Sequence, residues 1–223
     1  MKLIEHPDRE ALTLAVAQDI TSALGMALTA ADRAVLCLPG GSTPVPVFKA
    51  LSAARVDWGR VVVIPGDERW VPADHARSNA RLIRRNLIDE GATEAQLIEL
   101  YSDGLDPEQG AAAASDRIAP LLPLGVLLLG MGEDMHTASL FPGSDGLAAA
   151  LSPDAPPVLP IRAEGLDEAR VTLTLPALQS APERMLMITG PDKRAALERA
   201  AGLPPDEAPI AALLKGLVVH YAD

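Results

Sequence analysis

The sequence predicts an α/β fold, a mostly parallel sheet flanked by helices on both faces. Short apolar runs such as residues 61–64 and the one between Pro123 and Gly130 end at glycine or proline, as strands buried on both faces do. These runs alternate with helical stretches of ten or more residues, the order that produces right-handed crossovers and parallel strands. The chain is 48% hydrophobic but only 3% aromatic, so its core is built from Ala, Leu, Val and Ile, which suits helices packed on a parallel sheet.

Each element has a local reason. A short strand over residues 2–5 is followed by a helix over 8–28, capped by Asp8 and carrying Leu12, Val16, Ile20 and Ala23 at helical spacing. Residues 34–38 form a brief apolar strand. Pro39-Gly40-Gly41-Ser42-Thr43-Pro44 then leads into a second helix ending near Ala54, with Thr43 expected as N-cap and Pro44 as first helical residue. A strand at 61–64 stops at Pro65-Gly66, ahead of the polar segment Asp67-Glu68-Arg69-Trp70. Helix is expected over 78–88 and 106–118, a strand over 97–100, another strand ending at Gly130, and a short helix from Thr137 onward. The Pro- and Ala-rich stretch 148–165 reads as a surface loop. Residues 170–175 alternate like a strand, 185–189 and 217–221 are apolar strands, and 192–201 is a helix. No repeat or boundary divides the 223 residues, so a single Rossmann-like domain over 1–223 is expected.

Thirty acidic residues against nineteen basic ones give a formal charge of −11, which repels nucleic acid and anionic membranes. A small phosphorylated ligand remains compatible, because local donors act at short range. The single cysteine, Cys37, lies in an apolar run and allows no internal disulfide. The N-terminus lacks the apolar core of a signal peptide, and no apolar run approaches the roughly 18 residues of a membrane span. A cytoplasmic protein is expected, as a monomer or small homo-oligomer.

Gly40, Gly41, Ser42 and Thr43 join a strand to a helix and outline a phosphate cradle without a Walker lysine; an ordinary glycine turn fits them equally well. Gly130-Met131-Gly132-Glu133-Asp134-Met135 matches a dinucleotide fingerprint only at its first two glycines. His136 follows directly, past a strand end where open α/β sheets place their ligands. It is a candidate general base, with Asp134 as its orienting partner. Asp67 and Arg69 present both signs of charge beyond another strand end, or else form a solvated loop pair. Lys193, in the first turn of a helix, opposes the helix dipole unless an anion lies between them. Arg77 is near enough to a strand end to contribute. No histidine pair or cysteine cluster stands at metal-ligand spacing, and no Gly-x-Ser-x-Gly elbow is present.

In this order Pro39-Gly-Gly-Ser-Thr-Pro44, Gly66-Asp-Glu-Arg69, Gly130-Met-Gly-Glu-Asp-Met-His-Thr-Ala-Ser-Leu-Phe-Pro142, Arg170-Val-Thr-Leu-Thr-Leu-Pro176 and Gly190-Pro-Asp-Lys193 resemble the 6-phosphogluconolactonase family, within the wider glucosamine-6-phosphate deaminase and isomerase superfamily. The resemblance spans nearly the whole chain. It implies hydrolysis of 6-phosphoglucono-1,5-lactone to 6-phosphogluconate in the oxidative pentose phosphate pathway, without metal or organic cofactor. It also implies that His136 activates water and Asp134 orients it, that the Gly40–Thr43 loop and Lys193 anchor the phosphate, and that Arg69 and Arg162 face the sugar or the oxyanion. Glu133 and Met135 stand where the family has Pro and Gly; a left-handed backbone at 135 then carries strain of order ~1 kcal/mol.

The deaminase branch, the nearest alternative, follows its histidine with a segment containing a glutamate. Here Thr137-Ala-Ser-Leu-Phe-Pro142 contains none, which favours the lactonase. A non-catalytic sugar-phosphate sensor is the other alternative, and its DNA-binding segment has no room before Asp8.

Overall fold

The computed structural model describes residues 1–223. Seven parallel strands form the main sheet: β1 (Lys2–Glu5), β2 (Ala34–Leu38), β3 (Val61–Pro65), β5 (Gln96–Leu97), β6 (Val126–Leu129), β9 (Glu183–Thr189) and β10 (Val218–Ala222), in the order β1-β10-β9-β6-β2-β3-β5. A second, antiparallel sheet of three strands runs β4 (Asp67–Arg69), β8 (Arg170–Leu173), β7 (Val158–Ile161). The mostly parallel α/β architecture is as the sequence predicts. The second sheet is not, because its strand β4 pairs with a β8 that lies about a hundred residues further along the chain, and its strand β7 falls in the stretch read as a loop.

Alternate residues of the central strands feed two cores. In β3, Val62 and Ile64 join one core while Val61 and Val63 join the other; β6 divides Leu127 and Leu129 from Val126 and Leu128 in the same way. Strands wetted on neither face read as continuous apolar runs for this reason. Helices α1 (Arg9–Ala30), α2 (Val45–Ser52) and α3 (Asn79–Ile83) cover one face through Leu12, Val16, Ile20, Phe48 and Ile83. The opposite face is covered by α4 (Pro107–Ile118), α6 (Leu175–Gln179) and α7 (Pro191–Ala200), with α5 (Leu147–Leu151) alongside.

Helix α1 begins where Asp8 accepts a hydrogen bond from the Ala11 N–H at 2.7 Å, relieving one of the free donors of the first turn. By length and composition α1 is apolar enough to cross a bilayer, contrary to the expectation that no run qualifies. It instead lays Leu12, Val16, Ile20 and Leu24 into the core.

Other local expectations need correction. Helix α2 begins at Val45 with Pro44 as N-cap, and no side chain caps it; Thr43 therefore lies outside the helix. Residues 79–88 are helical, but the backbone widens to a π-turn at Arg84–Ile88. The strand expected at 97–100 shrinks to Gln96–Leu97. Thr137 starts a turn closed by Leu140 N–H to Thr137 O at 3.0 Å instead of a helix. The expected loop 148–165 contains most of α5 and all of β7.

Candidate active site

From β2 the chain moves outward to β3 and β5, while β6, β9 and β10 extend the other way, so the order reverses between β2 and β6. The carboxyl ends of these two strands carry the Gly40 loop and the Gly130 turn. A crevice at such a reversal is where open α/β sheets bind ligands. Here it is a cavity of about 430 Å³ lined by both segments and by Asp67, Arg69, Asn79, Phe141, Arg170 and Lys193.

His136 reaches this cavity from a tight turn in which Gly132 N–H donates to His136 O and Met135 N–H donates to Gly132 O, both at 3.0 Å. The fold back brings Asp134 Oδ1 to 2.5 Å from His136 Nδ1, while the same oxygen accepts from the His136 backbone N–H at 3.3 Å. The hydrogen bond from His136 holds the Asp134 carboxyl below its ordinary range, so Asp134 stays ionised and fixes the ring's orientation. Phe141 packs against the imidazole with ring centroids 4.5 Å apart. A side chain at Gly132 would place its Cβ 2.2 Å from both Asp134 Oδ1 and His136 Nδ1, so the pair needs a glycine there. Met135 adopts φ 67° and Ala138 φ 50°, which places a methionine in the left-handed region.

The antiparallel sheet supplies the opposite charge. Asp67 faces Thr172 and Arg69 faces Arg170 across β4 and β8, and the two-residue period of a strand puts Asp67, Arg69 and Arg170 on one side. The neighbouring Glu68 points the other way. Its carboxylate accepts from the backbone N–H groups of Arg69, Asn79 and Ala80 at 2.8, 2.7 and 2.8 Å and from the Ser78 hydroxyl at 3.0 Å. Burial, opposed by these donors, raises its pKa. Asp67 and Glu68 are thus buried strand residues, not a solvated loop pair.

Arg69 donates from Nη1 to Arg77 O at 2.7 Å, and the buried Nε atoms of both Arg69 and Arg170 have no partner. Burial and the neighbouring Arg69 lower the pKa of Arg170. Two guanidinium groups side by side, short of acceptors, form an environment complementary to an anion. Arg170 opens one of the motifs of the resemblance but receives no role there; its place at the cavity follows from its register opposite Arg69.

The remaining expectations divide. Gly40, Gly41 and Thr43 line the cavity and Ser42 does not. Gly40 approaches Asn79 so closely that a Cβ would lie 2.1 Å from Asn79 Oδ1. The start of α2 offers few donors to an anion, since Pro44 and Pro46 lack N–H groups and Val45 N–H bonds Ser42 O at 3.2 Å. Lys193 lines the cavity and donates from Nζ to Met131 O. Arg162 stands outside the lining residues; its guanidinium pairs with Glu108, and its backbone bridges Asp145. The unforeseen β7 sets it there. Arg77 is likewise diverted, to Asp167 and Glu168 at 2.7 and 2.9 Å. Beneath the crevice, burial and then Asp67 push the Cys37 thiol far above its ordinary range, leaving it an inert core residue.

Comparison with known proteins places this geometry in context. The family model described as glucosamine-6-phosphate isomerases/6-phosphogluconolactonase matches residues 7–220. A 6-phosphogluconolactonase of Rhizobium meliloti (strain 1021) is 43% identical, with 96% of this chain and 93% of the relative covered. One from Pseudomonas putida is 38% identical, with 96% and 89% covered. The crystal structure of a 6-phosphogluconolactonase from Shewanella baltica OS155 superposes with a TM-score of 0.96 at 32% identity, covering 100% of this chain and 98% of that one.

Proposed function

The chain belongs to the glucosamine-6-phosphate isomerase/6-phosphogluconolactonase family and hydrolyses 6-phospho-D-glucono-1,5-lactone to 6-phospho-D-gluconate in the pentose phosphate pathway, and we propose that His136 is the general base of that reaction. The supporting observation is the 2.5 Å contact between His136 Nδ1 and Asp134 Oδ1 at the wall of a cavity rich in cations. Asp134 holds Nδ1 protonated, leaving Nε2 to accept a proton from water. The water oxygen forms a bond to the lactone carbonyl carbon, and the carbonyl oxygen takes up negative charge. As the tetrahedral intermediate collapses, the bond from that carbon to the ring oxygen breaks, and the imidazolium returns its proton to the departing oxygen. The product is the open-chain acid, which ionises in solution.

The surrounding groups divide the remaining tasks. Arg69 and Arg170 face the developing oxyanion or its adjacent ring oxygens, where preorganised donors stabilise charge. Gly40, Gly41 and Thr43 with Lys193 hold the phosphate, and Asp67 receives a sugar hydroxyl. Ser42 and Arg162 are left out of this arrangement by their positions. The protein acts in the cytoplasm on a small sugar phosphate lactone, as one domain and as a monomer or small homo-oligomer.

The test follows acid release from freshly generated 6-phosphogluconolactone, with ammonia release from glucosamine 6-phosphate as control. His136→Asn is expected to lower kcat by about 10² to 10⁴ fold, the usual worth of general acid–base catalysis. A change confined to KM would show that His136 binds substrate instead.

A further inference from the structure

Asp67 enters the crevice with its carboxylate already constrained. Oδ2 accepts from the Ser139 hydroxyl at 2.5 Å, and Oδ1 accepts from the Asn79 side-chain amide at 3.2 Å. The same amide donates to Asp67 O at 2.8 Å. Neither arginine holds this carboxylate; a hydroxyl and an amide do. Ser139 is wholly buried, and its backbone N–H donates to Thr172 Oγ1 at 3.2 Å. Thr172 is the direct cross-strand partner of Asp67. A closed circuit of buried polar groups therefore joins β4, β8 and the turn that carries His136.

The backbone is shaped to complete this circuit. Ala138 takes φ 50°, a reversal that non-glycine residues adopt at a cost, and Ser139 follows it directly. Thr137, on the other side, ties its hydroxyl to Gly130 O at 2.9 Å. The turn is thus fixed at Thr137 to the main sheet and at Ser139 to the antiparallel sheet. His136 is the next residue upstream.

We propose that Ser139 is a positioning residue for the lactone hydrolysis, acting through Asp67: it holds the carboxylate in the orientation that receives a ring hydroxyl and sets its span to the His136 imidazole. A carboxylate has about four lone-pair sites, so two bonds from below leave acceptor capacity for a hydroxyl donor in the crevice. Without Ser139 the carboxylate gains rotamer freedom and can turn toward the Arg69 and Arg170 guanidinium groups. That motion removes the hydroxyl acceptor and neutralises the cations facing the reacting carbonyl. The inference rests on the reading of Asp67 as a substrate contact given above.

A double-mutant cycle tests it: wild type, S139A, D67A and S139A/D67A assayed on fresh 6-phosphogluconolactone, with thermal unfolding of each protein. S139A is expected to lower kcat/KM by about ten- to a hundredfold, the equivalent of a hydrogen bond to a charged group, with KM carrying much of the change. Once Asp67 is absent, removing Ser139 should cost no more than about twofold further, because coupled residues are not additive. S139C, which keeps the volume and a weak donor, should fall between wild type and S139A. Independent, multiplicative losses in the double mutant would overturn the positioning role while leaving Asp67 as a substrate contact. A wild-type kcat/KM in D67A would overturn the reading of Asp67 itself. Loss of melting temperature in S139A and S139C with kcat/KM unchanged would reduce Ser139 to a structural residue.

Discussion

Met135 sits between Asp134 and His136 at φ 67°, where steric crowding costs an L-residue about 1–2 kcal/mol. Glycine would remove that cost but would add about 0.4–1 kcal/mol of unfolded-chain entropy and give up the packing of a half-buried methionine against the core. The opposing effects nearly cancel. Met135→Gly should therefore leave thermal stability within about 1 kcal/mol of wild type. Met135→Val, β-branched in the same conformation, should cost about 1–3 kcal/mol and lower kcat by displacing His136; melting curves and initial rates of the two variants check both outcomes. This strain was legible in the sequence, because a methionine occupies a glycine position of a recognisable motif. Arg170 was not, since its significance arises only when it is paired with Arg69 from a distant strand. Arg162 misled for the converse reason: proximity to the right motif said nothing of Glu108, which captures it.

At the scale of elements, Glu68 joins β4 to the start of α3 by accepting four hydrogen bonds, from Arg69, Asn79, Ala80 and Ser78. Glutamine offers one acceptor oxygen and turns an NH₂ group toward donors. Glu68→Gln is accordingly expected to cost about 2–3 kcal/mol in urea unfolding, from buried donors left without partners. A second joint lies where β1, β10 and α1 meet. His6 stacks on the buried His220 with Nε2 3.1 Å from its Nδ1, and His220 Nε2 lies 3.4 Å from Asp19. Burial lowers the pKa of His220, with Asp19 opposing and His6 and Lys2 reinforcing. A depressed folded pKa means stability present above the unfolded value and lost as pH falls through the folded one. The melting temperature should thus decline as pH drops below about 6.5, and His220→Gln should flatten that decline. The sequence offered no sign of this joint, because its partners come from both ends of the chain. Strand β7 was hidden differently: Pro160 argues against a central strand, but β7 is an edge strand of the small sheet, where proline is tolerated.

Across the whole molecule, the crevice joins two sheets with different duties. The parallel sheet delivers the His136 turn, the Gly40 loop and Lys193, while the antiparallel sheet delivers Asp67, Arg69 and Arg170. The alternation of apolar runs and helices made the first sheet readable, since each strand is specified by its own residues. In the second, β8 shows its own alternation, but its pairing with β4 rests on a register that no local pattern contains. Buried residues link both sheets in one core, in which Leu127 and Leu129 of β6 share a cluster with Val158, Ile161 and Val171. Unfolding is expected to be a single cooperative event. Trp58 lies in the core on one face of the main sheet and Trp70 packs against the core on the other, so their combined fluorescence and far-UV circular dichroism should give coincident urea transitions; separated midpoints would identify two units.

Strand β10 lies between β1 and β9, pairing with both in parallel, so β1 has no neighbour until β10 arrives. During translation residues 2–5 must wait, unpaired, for residues 218–222 to leave the ribosome. The Asp134–His136 turn waits as well, because Met131 O, Glu133 O and Met135 O are secured by Lys193, Arg199 and the Ile210 N–H. A nascent chain can therefore expose its histidine long before it possesses an active site.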